Sequence, residues 1–189
     1  MSGSVKEFCR KKLKHYNIPG HAHALTFSCY HHYDYLFDPT ACELFLTELS
    51  RSREKHNFQL WAYVLMPSHV HLLLFPLAND YDIASILNDI KGRMAKQFRD
   101  FILEHVPEKK ERYMLFDKSK KRMVFRFWQV GGGFDRNLRN ALAIYRSIKY
   151  IEANPVRGGL VSEPAAWQWS SAYALTKRTG LIPDICTYL

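Results

Sequence analysis

Apolar and polar positions change their rhythm several times along this chain, and each change predicts an element. His21–Tyr30 reads as a first strand. Asp38-Pro39-Thr40 is a turn able to cap a helix over about 41–56, where Leu44, Phe45 and Leu49 belong to an apolar stripe. Phe58–Met66, rich in aromatic and branched residues, reads as a second strand; Pro67-Ser68 breaks it, and His69–Phe75 returns as a third. Ile83, Ile86, Leu87, Ile90, Met94, Phe98, Phe101 and Ile102 recur at helical spacing and predict a long helix over about 82–105. Residues 106–121 read as a charged loop and Met123–Val130 as a fourth strand. After the flexible Gly131-Gly132-Gly133, Asp135 can cap a helix running to about Ala153, with Pro155 ending it. The remainder, with Trp167, Trp169 and Tyr173, reads as an irregular segment packed on the body.

The order β-α-β-β-α-β predicts an α+β fold: a ferredoxin-like split βαβ sandwich, an antiparallel sheet with helices, plus an extra helix carrying Tyr150. Such a frame hosts many activities, so function has to come from particular residues.

At 189 residues the chain suits one domain over residues 18–189, preceded by a basic arm over 1–17 that includes Lys6, Arg10, Lys11, Lys12 and Lys14. A hydrophobic content of 47% excludes wholesale disorder. The formal net charge of +9 favours a polyanionic partner. No apolar run approaches the ~20 residues of a membrane-spanning helix, and no apolar stretch of a signal peptide follows the basic N-terminus. The expected setting is the cytoplasm, in association with the nucleoid and not with membrane. Cys9, Cys29, Cys42 and Cys186 form no CxxC pair and read as free intracellular thiols.

Two His-x-His triplets occur, His21-Ala22-His23 and His69-Val70-His71. Side chains two apart on a strand share a face, so either pair could hold a divalent metal, or could simply be hydrogen-bonded strand histidines. Context separates them. His69 and His71 open a strand that continues as Leu72-Leu73-Leu74-Phe75, and polar rings at the mouth of a buried strand need partners. On the last long helix, Leu138, Ala141, Leu142, Tyr145 and Ile148 are expected to face the core, with Ile144 and Ile151 flanking. Arg139, Ala143, Arg146, Tyr150 and Asn154 form a second stripe. Tyr150 is a candidate nucleophile, and Asn154 adds an amide oxygen one turn on. With two imidazoles, that oxygen makes an open three-ligand site suited to Mg2+ or Mn2+. Arg146, one turn before Tyr150, is the candidate for steadying charge on a phosphate.

From Lys109 to Arg146 the chain carries eleven Lys or Arg against three Asp or Glu, interleaved with Tyr113, Phe116, Phe125, Phe127 and Trp128. Cations among aromatics suit single-stranded or unpaired nucleic acid. Arg126, Trp128, Arg136, Arg139 and Lys149 are the expected nucleic-acid contacts. A hairpin-binding protein without catalysis, or an RNA-binding ferredoxin-like module using Arg126-Phe127-Trp128 as a stacking strand, remains an alternative.

Three segments resemble one family, the REP-associated tyrosine transposases of the single-tyrosine HUH superfamily. They are MPSHVHLLL, FWQVGGGFDRNLRN and KYIEANPVRGGLV, in the family's order and spacing. The resemblance implies an HUH fold, a divalent metal on His69 and His71 with Asn154 as third ligand, and Tyr150 as nucleophile. It also implies cleavage and rejoining of single-stranded DNA at hairpin-forming, repetitive extragenic palindromes through a 5′-phosphotyrosine link, by a monomer or homodimer. Glu152, an acid near a phosphate site, departs from what DNA would favour, but helical spacing turns it away from Tyr150.

Overall fold

The computed structural model describes residues 15–117, 120–184 and 186. Of the basic arm, residues 1–14 lie outside them, as does Cys9. Strand β1 is Ala22–Ser28, helix α1 Pro39–His56, β2 Phe58–Met66, β3 His69–Pro76 and α2 Ile83–His105. After these come β4 at Met114–Asp117, β5 at Arg122–Phe125, β6 at Phe134–Leu138, α3 at Ala141–Arg157 and α4 at Ser171–Lys177. The main sheet runs β2-β3-β1-β6, antiparallel throughout, which is the strand order of a split βαβ sandwich. No helix among the described residues is long and apolar enough to cross a membrane.

Alternation on β1 sorts the two faces. Leu25, Phe27 and Cys29 go to the core shared with α1 and α2, while the small Ala22, Ala24, Thr26 and Ser28 fall on the opposite face. Strand β2 changes parity at a bulge near Trp61: Phe58 and Leu60 precede it, Tyr63 and Leu65 follow, and all four reach that same core. The opposite face carries a second cluster, in which Trp61, Ala62, Val64, Met66 and Leu73 pack under Ile144 and Ile151 of α3. Caps set the helix starts. Asp38 accepts from the Thr40 N–H ahead of α1, and Asp82 accepts from Ala84 and Ser85 N–H ahead of α2.

Several expectations fail: the stretch 106–121, expected as a loop, holds β4, and the C-terminal segment, expected as irregular, holds α4. The closing strand is β6, not Met123–Val130. Phe127 and Trp128 of that stretch do enter the core, but β5 pairs with β4 in a separate hairpin, and Trp128 makes an isolated bridge to Cys29. Helix α3 accordingly starts five residues late, capped by Asn140, whose side chain accepts from Leu142 and Ala143 N–H. Asp135 and Leu138 lie in β6. Pro155 sits inside the last turn and does not end the helix; the close comes with Gly158 N–H donating to the Asn154 carbonyl at 2.8 Å. Frame and face shift together. Ile144, Ile151, Asn154 and Pro155 are buried, whereas Leu142 and Tyr145 are about half exposed.

Candidate active site

Cross-strand partners share a sheet face, and the register pairs His71 with Thr26 and His69 with Ser28. Both histidines therefore point to the α3 side. Their rings stand edge to face, centroids 5.0 Å apart. His71 Nδ1 shares a 2.7 Å hydrogen bond with Thr26 Oγ1, and His69 Nδ1 a 3.2 Å one with Ser68 Oγ. Each ring thus keeps its Nε2 for another partner. Burial, with His69 alongside, pushes the His71 imidazole down to about 4. Burial and then His32 lower His69. Both rings are neutral at pH 7, the form that donates a lone pair to a cation.

Helix α3 brings Tyr150 to this pair. Its ring meets His71 edge to face at 5.6 Å, and it is 46% exposed, open to a polymer substrate. Asn154 is buried beneath it and donates through Nδ2 to the Tyr150 carbonyl at 2.7 Å. Among the described residues its Oδ1 accepts no hydrogen bond, and Asn154 makes no direct hydrogen bond to either imidazole. No group of three His, Cys, Asp or Glu able to hold a metal occurs among the described residues. A cation at His69 and His71 would need another kind of donor, and an uncommitted amide oxygen is of that kind. The donor set fits Mg2+ or Mn2+ with open positions.

The remaining candidates divide. Arg146 of α3 and Arg136 of β6 line the cleft beside Tyr150, and Arg139 is exposed on the turn between those elements. No carboxylate pairs with any of the three among the described residues. Lys149 is ion-paired to Glu152 at 2.8 Å, which raises its ammonium above the ordinary value. Arg126 leans on Asp117 at 3.4 Å. Trp128 corrects its assignment: it is buried against Phe27, Phe45 and Phe127, and its indole N–H donates to the Lys91 carbonyl at 3.1 Å, so no base can stack on it. Tyr113 and Phe127 are likewise core residues.

Two participants were missed. Thr26 fixes the His71 ring, and only strand register could have found it. Arg157 places its guanidinium 4.8 Å from the Tyr150 ring centroid. Gly133 has a steric reason: at φ +76, a Cβ would run into the Thr26 carbonyl. Gly133 lets β6 close on β1, the strand whose Thr26 holds the His71 ring.

The second triplet lies on the other face. His23 is fully buried, with Nδ1 2.8 Å from Asp135 Oδ1 and Nε2 2.8 Å from Tyr81 Oη. His15 Nδ1 takes the other Asp135 oxygen at 2.6 Å. Both nitrogens of His23 are occupied, so it is a structural residue.

Residues 21–122 match the family model described as transposase, IS200-like. That span holds both triplets and stops before Tyr150. By structure, the chain is similar to a REP-associated tyrosine transposase bound to a REP hairpin, with TM-score 0.68 and 18% identity over 93% of this chain and 94% of that one. That likeness speaks for the fold. A presumed transposase from Deinococcus radiodurans R1 has TM-score 0.43 and 19% identity over 79% of this chain and 96% of its own. No curated protein matches.

Proposed function

The chain belongs to the family of IS200-like transposases, and from that premise we propose that it cuts and rejoins single-stranded DNA beside hairpin-forming repeats through a 5′-phosphotyrosine link. The observation that carries this reading is the half-exposed Tyr150 set edge-on against His71, with His69 beside it.

The Tyr150 phenol oxygen attacks the scissile phosphorus and gives up its proton. The bond from phosphorus to the 3′ oxygen breaks, and that oxygen takes a proton to become a 3′-OH. Attack by another 3′-OH reverses the sequence, restores the phenol and joins the strands without a nucleotide cofactor. Arg146 and Arg136, unpaired by carboxylates, steady the phosphate charge. Thr26 and Ser68 hold the imidazoles in orientation. Asn154 braces the carbonyl of Tyr150 and so fixes the turn that carries the nucleophile. His69, His71 and Asn154 would hold a divalent cation, which supplies Lewis-acid polarisation of the phosphate when bound.

The DNA partner is read from charge and likeness together. A net charge of +9 favours a polyanion, and the structural neighbour is bound to a REP hairpin. We extend that substrate class to this chain, acting in the cytoplasm on nucleoid DNA.

The test is a denaturing gel of protein with labelled hairpin DNA bearing a single-stranded flank, in the presence of Mn2+. Wild type should form a covalent band. Tyr150→Phe should lose it while keeping hairpin affinity. A covalent band that persists in the variant overturns the assignment of the nucleophile; hairpin binding with no band in either protein would favour a binding protein without catalysis.

A further inference from the structure

Beside Tyr150 lies a cavity of about 560 Å³, within the ~300–1,000 Å³ of small-molecule sites. It arises from a mismatch of side-chain size. Helix α3 packs over β2 and β3. Toward β6, the face of β1 beneath it offers only Ala24 and Thr26, too small to reach the helix. Phe134 and Leu142 stand at the walls, 54% and 55% exposed. Arg136 enters from the sheet and Arg146 from the helix. No Asp or Glu among the described residues lines the space.

We propose that this cavity is a subsite for one unpaired nucleoside flanking the scissile phosphate, with its base against Phe134 and Leu142 and its phosphates against Arg136 and Arg146. The proposal rests on the reading of Tyr150 as nucleophile. Three features select the occupant. An apolar slot with an exposed aromatic ring fits the flat face of a base. Two guanidiniums on separate elements, with no competing carboxylate, fit the phosphates on either side of that base. Tyr150 at the cavity wall requires that the occupant be covalently continuous with the phosphate under attack. A paired base cannot enter, since it would have to leave its stack. The pocket therefore makes one nucleotide of the single-stranded flank a specificity determinant, independently of the hairpin.

The experiment places 2-aminopurine at each position of the flank in turn and follows its fluorescence on binding to full-length Tyr150→Phe, which keeps the DNA uncut. One position next to the cleavage point should respond sharply. Phe134→Ala and Leu142→Gln, both at half-exposed sites that folding should tolerate, should abolish the response and weaken binding roughly tenfold. An abasic nucleotide at that position should weaken wild type by the same factor and make the variants indistinguishable from it. Hairpin binding with no responsive position, or variants that lose the same affinity for abasic and intact DNA, overturns the subsite alone. Absence of any hairpin binding overturns the proposed function, and the subsite with it.

Discussion

His21-Ala22-His23 and His69-Val70-His71 carry the same two imidazoles at the same spacing, at the starts of strands that are hydrogen-bonded neighbours, yet their surroundings are opposite. His23 pairs across the sheet with Leu74, and His71 with Thr26, so the two histidines face opposite sides. On one side His23 meets a buried carboxylate and a phenol that occupy both its nitrogens. On the other, His71 meets a hydroxyl that takes only Nδ1, and burial keeps the ring neutral. A spacing rule can place two imidazoles on one face. What they then do depends on whether an acid or a hydroxyl comes to meet them, and that is fixed by strand register.

The largest expected effect separates the triplets by activity. His69→Ala or His71→Ala should lower covalent-adduct formation by about 10³-fold or more. His23→Ala should leave the rate per folded molecule unchanged. Single-turnover cleavage, scaled to the folded fraction, reads this out; loss of rate in folded His23→Ala would put the second triplet in the site. Thr26→Val probes the hydroxyl side. It keeps the shape, removes the bond to His71, and should weaken Mn2+ affinity by about 10–100-fold, with Thr26→Ser restoring it. Calorimetric titration of Mn2+ measures this, and unchanged affinity in the valine variant would remove Thr26 from the site.

Most of the sandwich was legible from periodicity because its long elements are amphipathic or fully apolar: β2, β3, α1 and α2 fall within a few residues of expectation. The stretch from Met123 to Leu138 was not. Phe127 and Trp128 look like part of a strand because they are buried, yet they lie in a loop folded over α2, and loops that fill a core leave the same composition as strands. Strand β6 is short, with Asp135 and Asn137 facing one way and Arg136 the other, so it carries no apolar rhythm to read. Tyr150 beside His71 was foreseeable from motif spacing. Thr26 and the cavity were not, because both depend on which residue of β1 lies opposite which residue of its neighbours.

The acid side of the comparison has its own consequences, in stability. His23→Ala removes two buried hydrogen bonds and leaves Asp135 with one imidazole; about 3 kcal/mol should be lost, lowering Tm by roughly 6–12 °C. Asp135→Asn should cost less, about 1–2 kcal/mol at neutral pH. Burial pushes the Asp135 carboxyl up, but hydrogen bonds and charge from His23 and His15 outweigh it, so its pKa lies below the ordinary value. A depressed folded pKa means stability that is fully present above the unfolded value of ~3.9 and is lost as pH falls through the lower folded one. The gap between wild type and Asp135→Asn should therefore be full at pH 7 and shrink below about pH 4. Denaturant unfolding across that range measures it, and a gap that does not change with pH would show that the carboxylate's charge contributes nothing.

The smallest effect belongs to His21, and it sharpens the comparison inside a single triplet. His21 and His23 are two residues apart, but only His23 meets Asp135 and Tyr81. His21 Nδ1 is buried and has no hydrogen-bond partner among the described residues. An unsatisfied buried nitrogen is itself destabilising by ~1–3 kcal/mol. Removing the ring in His21→Ala loses some apolar packing and relieves that penalty, and the two changes oppose each other. The expected outcome is a shift within about 0.5 kcal/mol in either direction, with cleavage unaffected. If His21→Ala instead cost as much as His23→Ala, the two histidines would be acting as one unit. A division between a histidine ring held by a carboxylate and a neighbouring ring whose Nδ1 meets no partner among the described residues would then be wrong.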